Sequence, residues 1–312
     1  GGVSSLPDEV TFGIHRRFSP KLSPLQRWFG KYTVVFGVLL CATSDTSDRA
    51  LQHASHVMAQ YLDNDMDGAV DMPEAVAAMM QHRAFMAIFS NEAAYDASGL
   101  QVTQDPGTPL PVAKNDVQGW SCNTSHWSPW VYSELFESEM AIGLLNDSAR
   151  PAGHSSKLLP LHGRWDATWE EVLHLVTHLG WGCSHPSVWA PSPASQVGRL
   201  LEHAVGDCGH AYQGNFRFPS CEGFFHYGMQ DCGLPCLVNE YVYWAVTTRL
   251  GAQHWRCKRN DPNFRHEEWE LCTPGLLRAR DPGMWVVLSR DPRLPQELPD
   301  GHYRPRVRDR IP

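Results

Sequence analysis

The sequence predicts an α+β fold that is predominantly helical, and three observations carry that expectation. The apolar, β-branched run "TVVFGVLLCA" over residues 33–42 reads as a buried strand. Several later segments repeat apolar residues at the helical period. Between them lie stretches rich in proline, glycine, asparagine and cysteine without periodicity, which read as long loops. At 312 residues, 42% hydrophobic and 19% charged, the chain can bury a sizeable core and is too apolar for disorder.

Texture divides the chain into an N-terminal region, residues 1–100, a loop or linker over 101–130, a helical region over 131–290, and an irregular tail rich in proline and arginine over 291–312. The longest apolar run is too short to cross a bilayer as a helix, so no transmembrane segment is expected. A formal charge of −8 with dispersed basic residues lacks the positive footprint of a nucleic-acid binder. The basic tail "HYRPRVRDRIP" reads as a solvated end. The chain opens on Gly1-Gly2 with no methionine and no signal-peptide pattern, so a processed terminus is expected. Nine cysteines, none spaced as C-x-x-C, accompany N-x-S/T sequons at Asn123 and Asn146. Together they point to a secreted protein with several disulfides, one odd thiol and N-glycans.

The element after the strand is a helix, "SDRALQHASHVMAQYL", with Leu51, Ala54, Met58 and Tyr61 on one face. It runs into "DNDMDGAVDMPE", where carboxylates fall at Asp63, Asp65, Asp67, Asp71 and Glu74, with Gly68 sixth. Five carboxylates this close repel one another unless a cation holds them. Pro73 then opens a second helix, "MPEAVAAMMQHR", at a position where a missing N–H costs nothing. The twelve-residue spacing resembles the EF-hand calcium loop, and residues 46–82 would be one such module. That resemblance implies calcium ligands from Asp63, Asp65, Asp67, the carbonyl of Ala69, Asp71 (through water) and Glu74. No second loop of this kind occurs in the sequence, so a structural clip is expected rather than a paired sensor.

In "DATWEEVLHLVTHLGW" His174 and His178 stand four apart, which puts both imidazoles on one helix face. Glu170, Glu171 and Thr177 share that stripe, while Trp169, Val172, Leu173, Val176 and Leu179 form the apolar face. The same pattern also suits an amphipathic helix with a wet side, with Thr168 and Glu171 as a capping box. "GWGC" at residues 180–183 reads as a helix stop followed by a disulfide. Further on, "CLVNEYVYWAVTTRLGA" is apolar almost all round, yet Glu240 sits inside it with Tyr243, Trp244 and Thr247 on its face. A carboxylate there needs a cationic partner or a metal.

The H-x-x-x-H pair with a later N-E helix resembles the gluzincin group of zinc peptidases. The resemblance implies a zincin-like body, zinc ligands His174, His178 and Glu240, and hydrolysis of peptides or small molecules. It departs from that pattern at Leu175, where the group carries its glutamate base. Glu171 or Glu170 is then the candidate base, and Tyr243, Tyr227 or His226 the candidate oxyanion donor. Copper or iron at the same residues, doing redox chemistry, is a second expectation, and a non-catalytic extracellular calcium-binding protein a third.

Overall fold

A computed structural model describes residues 12–100, 112–114, 122, 130–142, 166–206, 222–227, 232–254 and 268–306. The architecture is mixed α/β, with one sheet and ten α-helical segments among the described residues. The apolar run expected as one strand is a hairpin. Lys31–Val35 (β1) and Val38–Ala42 (β2) pair antiparallel across Phe36 and Gly37, at φ of 48° and 92°. Glycine tolerates positive φ, so "FG" inside the run marked the turn.

The chain continues through α1 (Asp48–Leu62) and α2 (Pro73–Gln81) to β3 (Ala84–Phe89), which lies parallel to β2. After α3 (Glu92–Ser98) come β4 (Val112–Lys114) and β5 (Trp130–Phe136), both parallel strands, giving the order β1-β2-β3-β5-β4. The strand β4 corrects the expectation of an uninterrupted loop there. Pairing with β5 supplies the hydrogen bonds that local propensity did not announce.

Period-two alternation sorts the sheet into two faces. Phe85, Ala87 and Phe89 of β3 join Leu39, Cys41, Trp130 and Tyr132 over the 3-10 turn Ser23–Arg27. Met86 and Ile88 join Leu40, Ala42 and Val131 in the larger core, under the helices. Each fully buried side chain of this size contributes about 1.5–3 kcal/mol, so the helix layer is held mainly by this face.

That layer continues with α4 (Ala167–Leu175), which packs against β5, α1 and α8 (Leu234–Arg249). A π-helical stretch, Val176–Trp181, extends α4 directly into α5 (Gly182–Ser184). The glycines at 180 and 182 therefore do not stop the helix; Gly180 instead lets it lie close to Met79 and Ala75 of α2. Short α6 (Pro186–Trp189) and α7 (Gln196–Ala204) precede α8, and α9 (Pro274–Arg280) and α10 (Pro282–Arg290) follow it.

Cys183 does form a disulfide, with Cys122, and Cys232 pairs with Cys236. Cys272 is also disulfide-bonded, and Cys41 is a buried free thiol whose pKa burial pushes up, which makes it inert. Asn123, Asn146 and residues 307–312 lie outside the described residues. No described helix is long and apolar enough to cross a membrane.

Residues 291–306 wrap the surface as an irregular tail, and in the described part of "HYRPRVRDRIP" Arg304 and Arg306 are exposed while Tyr303 is not. Tyr303 is buried and its N–H donates to His56 Nδ1 (2.8 Å); Gly301 N–H donates to Gln60 Oε1 (3.0 Å). Gly301 has φ of 75°, and a Cβ there would meet the His53 ring at 2.4 Å. Polar side chains of α1 satisfy the irregular backbone, which is why a proline-rich segment can pack.

Candidate metal centre

Asp166 caps α4, accepting from Thr168 N–H (3.0 Å), and its other oxygen meets His53 Nε2 at 2.9 Å. Burial would raise Asp166, yet the hydrogen bonds from His53 and Thr168 outweigh it and hold its pKa low. Thr168 and Glu171 therefore do not form the expected capping box. The helix begins one residue before Thr168, and Glu171 is engaged elsewhere.

From this anchored start, one turn places Glu170, Glu171 and His174 between β5 and α8. Glu240 comes in from α8. Ligand atoms of Glu170, His174 and Glu240 lie within 4.8 Å of one another, with Glu170 partly exposed and the other two buried. His174 Nε2 is 3.8 Å from Glu240 Oε2, and Tyr227 O–H donates to Glu240 Oε1 at 3.3 Å. Two short segments meet at the bridge between Phe225 and Trp269, which brings Tyr227 and Glu268 to the same place.

The electrostatics follow from burial among carboxylates. Glu240 is pushed up to about 7 by burial, with the His174 imidazole opposing and Glu268 and Glu171 adding repulsion. Glu170 is raised well above the carboxylate range by burial and then by Glu240, Glu171 and Glu268. Tyr227 is raised by burial and by Glu240, so its phenol stays protonated. Next to Glu240, Asn239 is 2% exposed and neither of its amide atoms has a hydrogen-bond partner among the described residues.

His178 does not join this group; among the described residues it shares no cluster of mutually close ligand atoms with His174 and Glu240. The winding changes to a π-helix between the two histidines, so face counting at 100° per residue no longer applies. His178 is enclosed, and burial, with His82 and His174 adding to it, lowers its pKa to about 3. Its ring is neutral throughout the physiological range.

The other expected residues are placed as follows. Glu171 Oε2 accepts from Ser133 Oγ (3.1 Å) and lies 3.5 Å from His174 Nδ1. Tyr243 meets His174 edge-on, ring centroids 6.1 Å apart. His226 Nε2 pairs with Glu270 at 3.0 Å. Ser133 and Glu268 were not singled out from sequence. Neither belongs to a spacing motif, and only tertiary packing brings them here.

In the acidic loop, Asp63, Asp65 and Asp67 converge within 4.8 Å. Backbone N–H groups of Asp67, Gly68 and Ala69 donate to these carboxylates, and Gly68 turns at φ of 87°. Tyr303 O–H donates to Asp63, and Arg306 N–H donates to the Met66 carbonyl. Asp71 Oδ2 accepts from the Asn64 backbone N–H (2.6 Å). Glu74 Oε1 lies 2.7 Å from Arg293 Nη1 and 3.4 Å from His185 Nε2, apart from the three-aspartate group. Comparison of the chain with protein-family models, with curated proteins and with solved structures finds no match in any of the three.

Proposed function

We propose that this chain is a secreted, calcium-binding, metal-dependent hydrolase of the peptidase type, with a zinc ion held by Glu170, His174 and Glu240. The observation that carries this is the convergence of three ligand atoms on two packed helices around carboxyls that burial has raised. Such groups are costly to enclose unless a cation shares the site. Two carboxylates and one imidazole suit a divalent transition metal, and Glu170 takes the place expected for His178.

A zinc ion held there would activate a water near neutral pH and polarise a substrate carbonyl. The chain's residues do the rest. His174 and Glu240 orient the site from opposite helices, and Tyr243 packs the imidazole in place. Glu170, partly exposed beside the other two ligands, would bind as the carboxylate and give up the proton that its surroundings favour. Tyr227 O–H, kept protonated and donating to Glu240, would serve as a donor for negative charge developing on the substrate oxygen once turned from that carboxylate. Calcium would sit at Asp63, Asp65 and Asp67, with Ala69 and Asp71 in reach and Glu74 joining once released from Arg293. The disulfides at Cys122–Cys183 and Cys232–Cys236 support an extracellular setting.

Elemental analysis of the purified chain, followed by peptide hydrolysis before and after chelation, tests this. Zinc near one per chain with hydrolysis lost on chelation is expected. Copper or iron in its place would move the chemistry to redox. Calcium alone, with no hydrolysis, would leave an extracellular calcium-binding protein.

The raised pair Glu170 and Glu240 favours a second reading, in which two neighbouring carboxyls share a proton and act as acid and base without metal. Full hydrolysis after complete chelation would select it.

A further inference from the structure

Glu171 was expected as a base because it precedes His174 on the same helical stripe. Its surroundings give it a different job. Its Oε2 lies at the Nδ1 side of the His174 ring, 3.5 Å away, while Glu240 faces Nε2 on the other side. Glu171 is also outside the group of mutually close ligand atoms formed by Glu170, His174 and Glu240.

The same Oε2 accepts a hydrogen bond from Ser133 Oγ at 3.1 Å. Ser133 is 1% exposed and stands on β5, a strand paired on both sides within the sheet. A rigid strand thus holds the serine, the serine holds the carboxylate, and the carboxylate faces one nitrogen of the ring.

We infer that Ser133 and Glu171 are positioning residues that fix the tautomer and orientation of His174 for a divalent transition metal. An imidazole has one N–H and one lone pair when neutral. A carboxylate facing Nδ1 favours the proton there and leaves the Nε2 lone pair directed towards Glu240. A carboxylate behind a ligating histidine also raises the basicity of the metal-binding nitrogen. The inference rests on the ligand set proposed above, and it removes Glu171 from the candidate bases.

Cobalt(II) titration of the full chain tests both levels, because its visible bands report a site with an imidazole ligand while calcium at the acidic loop is silent. His174→Ala and Glu240→Ala should abolish the bands. Glu171→Gln should keep them, shifted, with affinity weakened about 10–100-fold, the usual cost of losing such a supporting carboxylate. Glu171→Asp should recover part of the affinity, and Ser133→Ala should weaken it in the same direction by less. The metal-free unfolding midpoint should stay at the wild-type value for Glu171→Gln, which separates orientation from folding. Should that variant lose its fold, Ser133→Ala and Glu171→Asp carry the test.

Wild-type affinity and spectrum in Glu171→Gln, with bands lost in His174→Ala, would overturn the positioning role and leave the ligand set standing. Unchanged bands in His174→Ala and Glu240→Ala would overturn the ligand set and the positioning role together.

Discussion

The chain holds two groups of carboxylates that solve opposite problems. In the acidic loop, Asp63, Asp65 and Asp67 come from five consecutive residues, and backbone N–H groups of the same turn support them. At the α4–α8 centre, Glu170 and Glu240 stand seventy positions apart on two helices, Glu240 buried with His174 and Glu170 partly exposed beside them. The loop keeps Asp65 exposed and Asp67 partly exposed to water, and of its three aspartates burial raises Asp63, whereas at the helix centre burial raises both glutamates. A site made by local turn geometry tolerates its charges through the backbone. One made by helix packing must meet them with protons, a neighbouring imidazole or a metal.

The sharpest way to break this comparison is to remove a buried ligand. Glu240→Ala should lower transition-metal affinity by more than the roughly 100-fold that a supporting residue costs. Equilibrium dialysis against zinc, with bound metal counted per chain, reads it. Calcium uptake at the loop should be untouched by the change; if both metals are lost together, the two groups are not independent.

Next in size is the acid sensitivity that His178 brings to the buried side. Its pKa is lowered to about 3 in the folded state by burial, and in the unfolded chain it returns to about 6.5. Below the unfolded value the unfolded chain takes up a proton that the folded one refuses. Stability therefore falls as pH drops from about 6.5 towards 3, by up to about 1.4 kcal/mol per unit from this residue. Urea midpoints at pH 7 and pH 5 should converge in His178→Gln relative to wild type. An unchanged difference would show that the ring is not held neutral.

Calcium should act more gently, and only at the loop. With a dissociation constant typical of extracellular modules, about 0.1–1 mM, calcium at about 1 mM stabilises by about 0.4–1.4 kcal/mol. Thermal unfolding with and without calcium measures it, and Asp65→Asn with Asp67→Asn should erase the difference.

The smallest effect concerns Glu74. Its ion pair with Arg293 is partly exposed at both ends, 43% and 40%, so Arg293→Ala should cost less than about 1 kcal/mol without calcium. The same change should tighten calcium binding, because it frees the twelfth-position carboxylate. Calorimetric titration showing equal affinity would mean that Glu74 never closes the loop.

Much of the molecule was readable from its order of residues. The entering helix face of Leu51, Ala54, Met58 and Tyr61 is buried throughout, and Pro73 opens α2. These features depend on neighbours within a few positions, where period and capping decide the outcome. The failures share a different cause. The break at Phe36-Gly37 was hidden inside an apolar run, and β4 exists because β5 offers it a partner. The basic end "HYRPRVRDRIP" was read as solvated, yet Tyr303 within it is buried and its N–H donates to His56 of α1.

What the sequence determined alone is the helix that carries Glu170, Glu171 and His174, the acidic loop, and the presence of one glutamate on an apolar helix. Each follows from interactions within about one or two turns. Tertiary structure alone decided which of these residues meet. It put Glu170 beside Glu240, set Glu171 between Ser133 and the His174 ring, and turned Glu74 towards Arg293. The reason is that side-chain company depends on how two surfaces pack, and the linear period of either surface records only its own face.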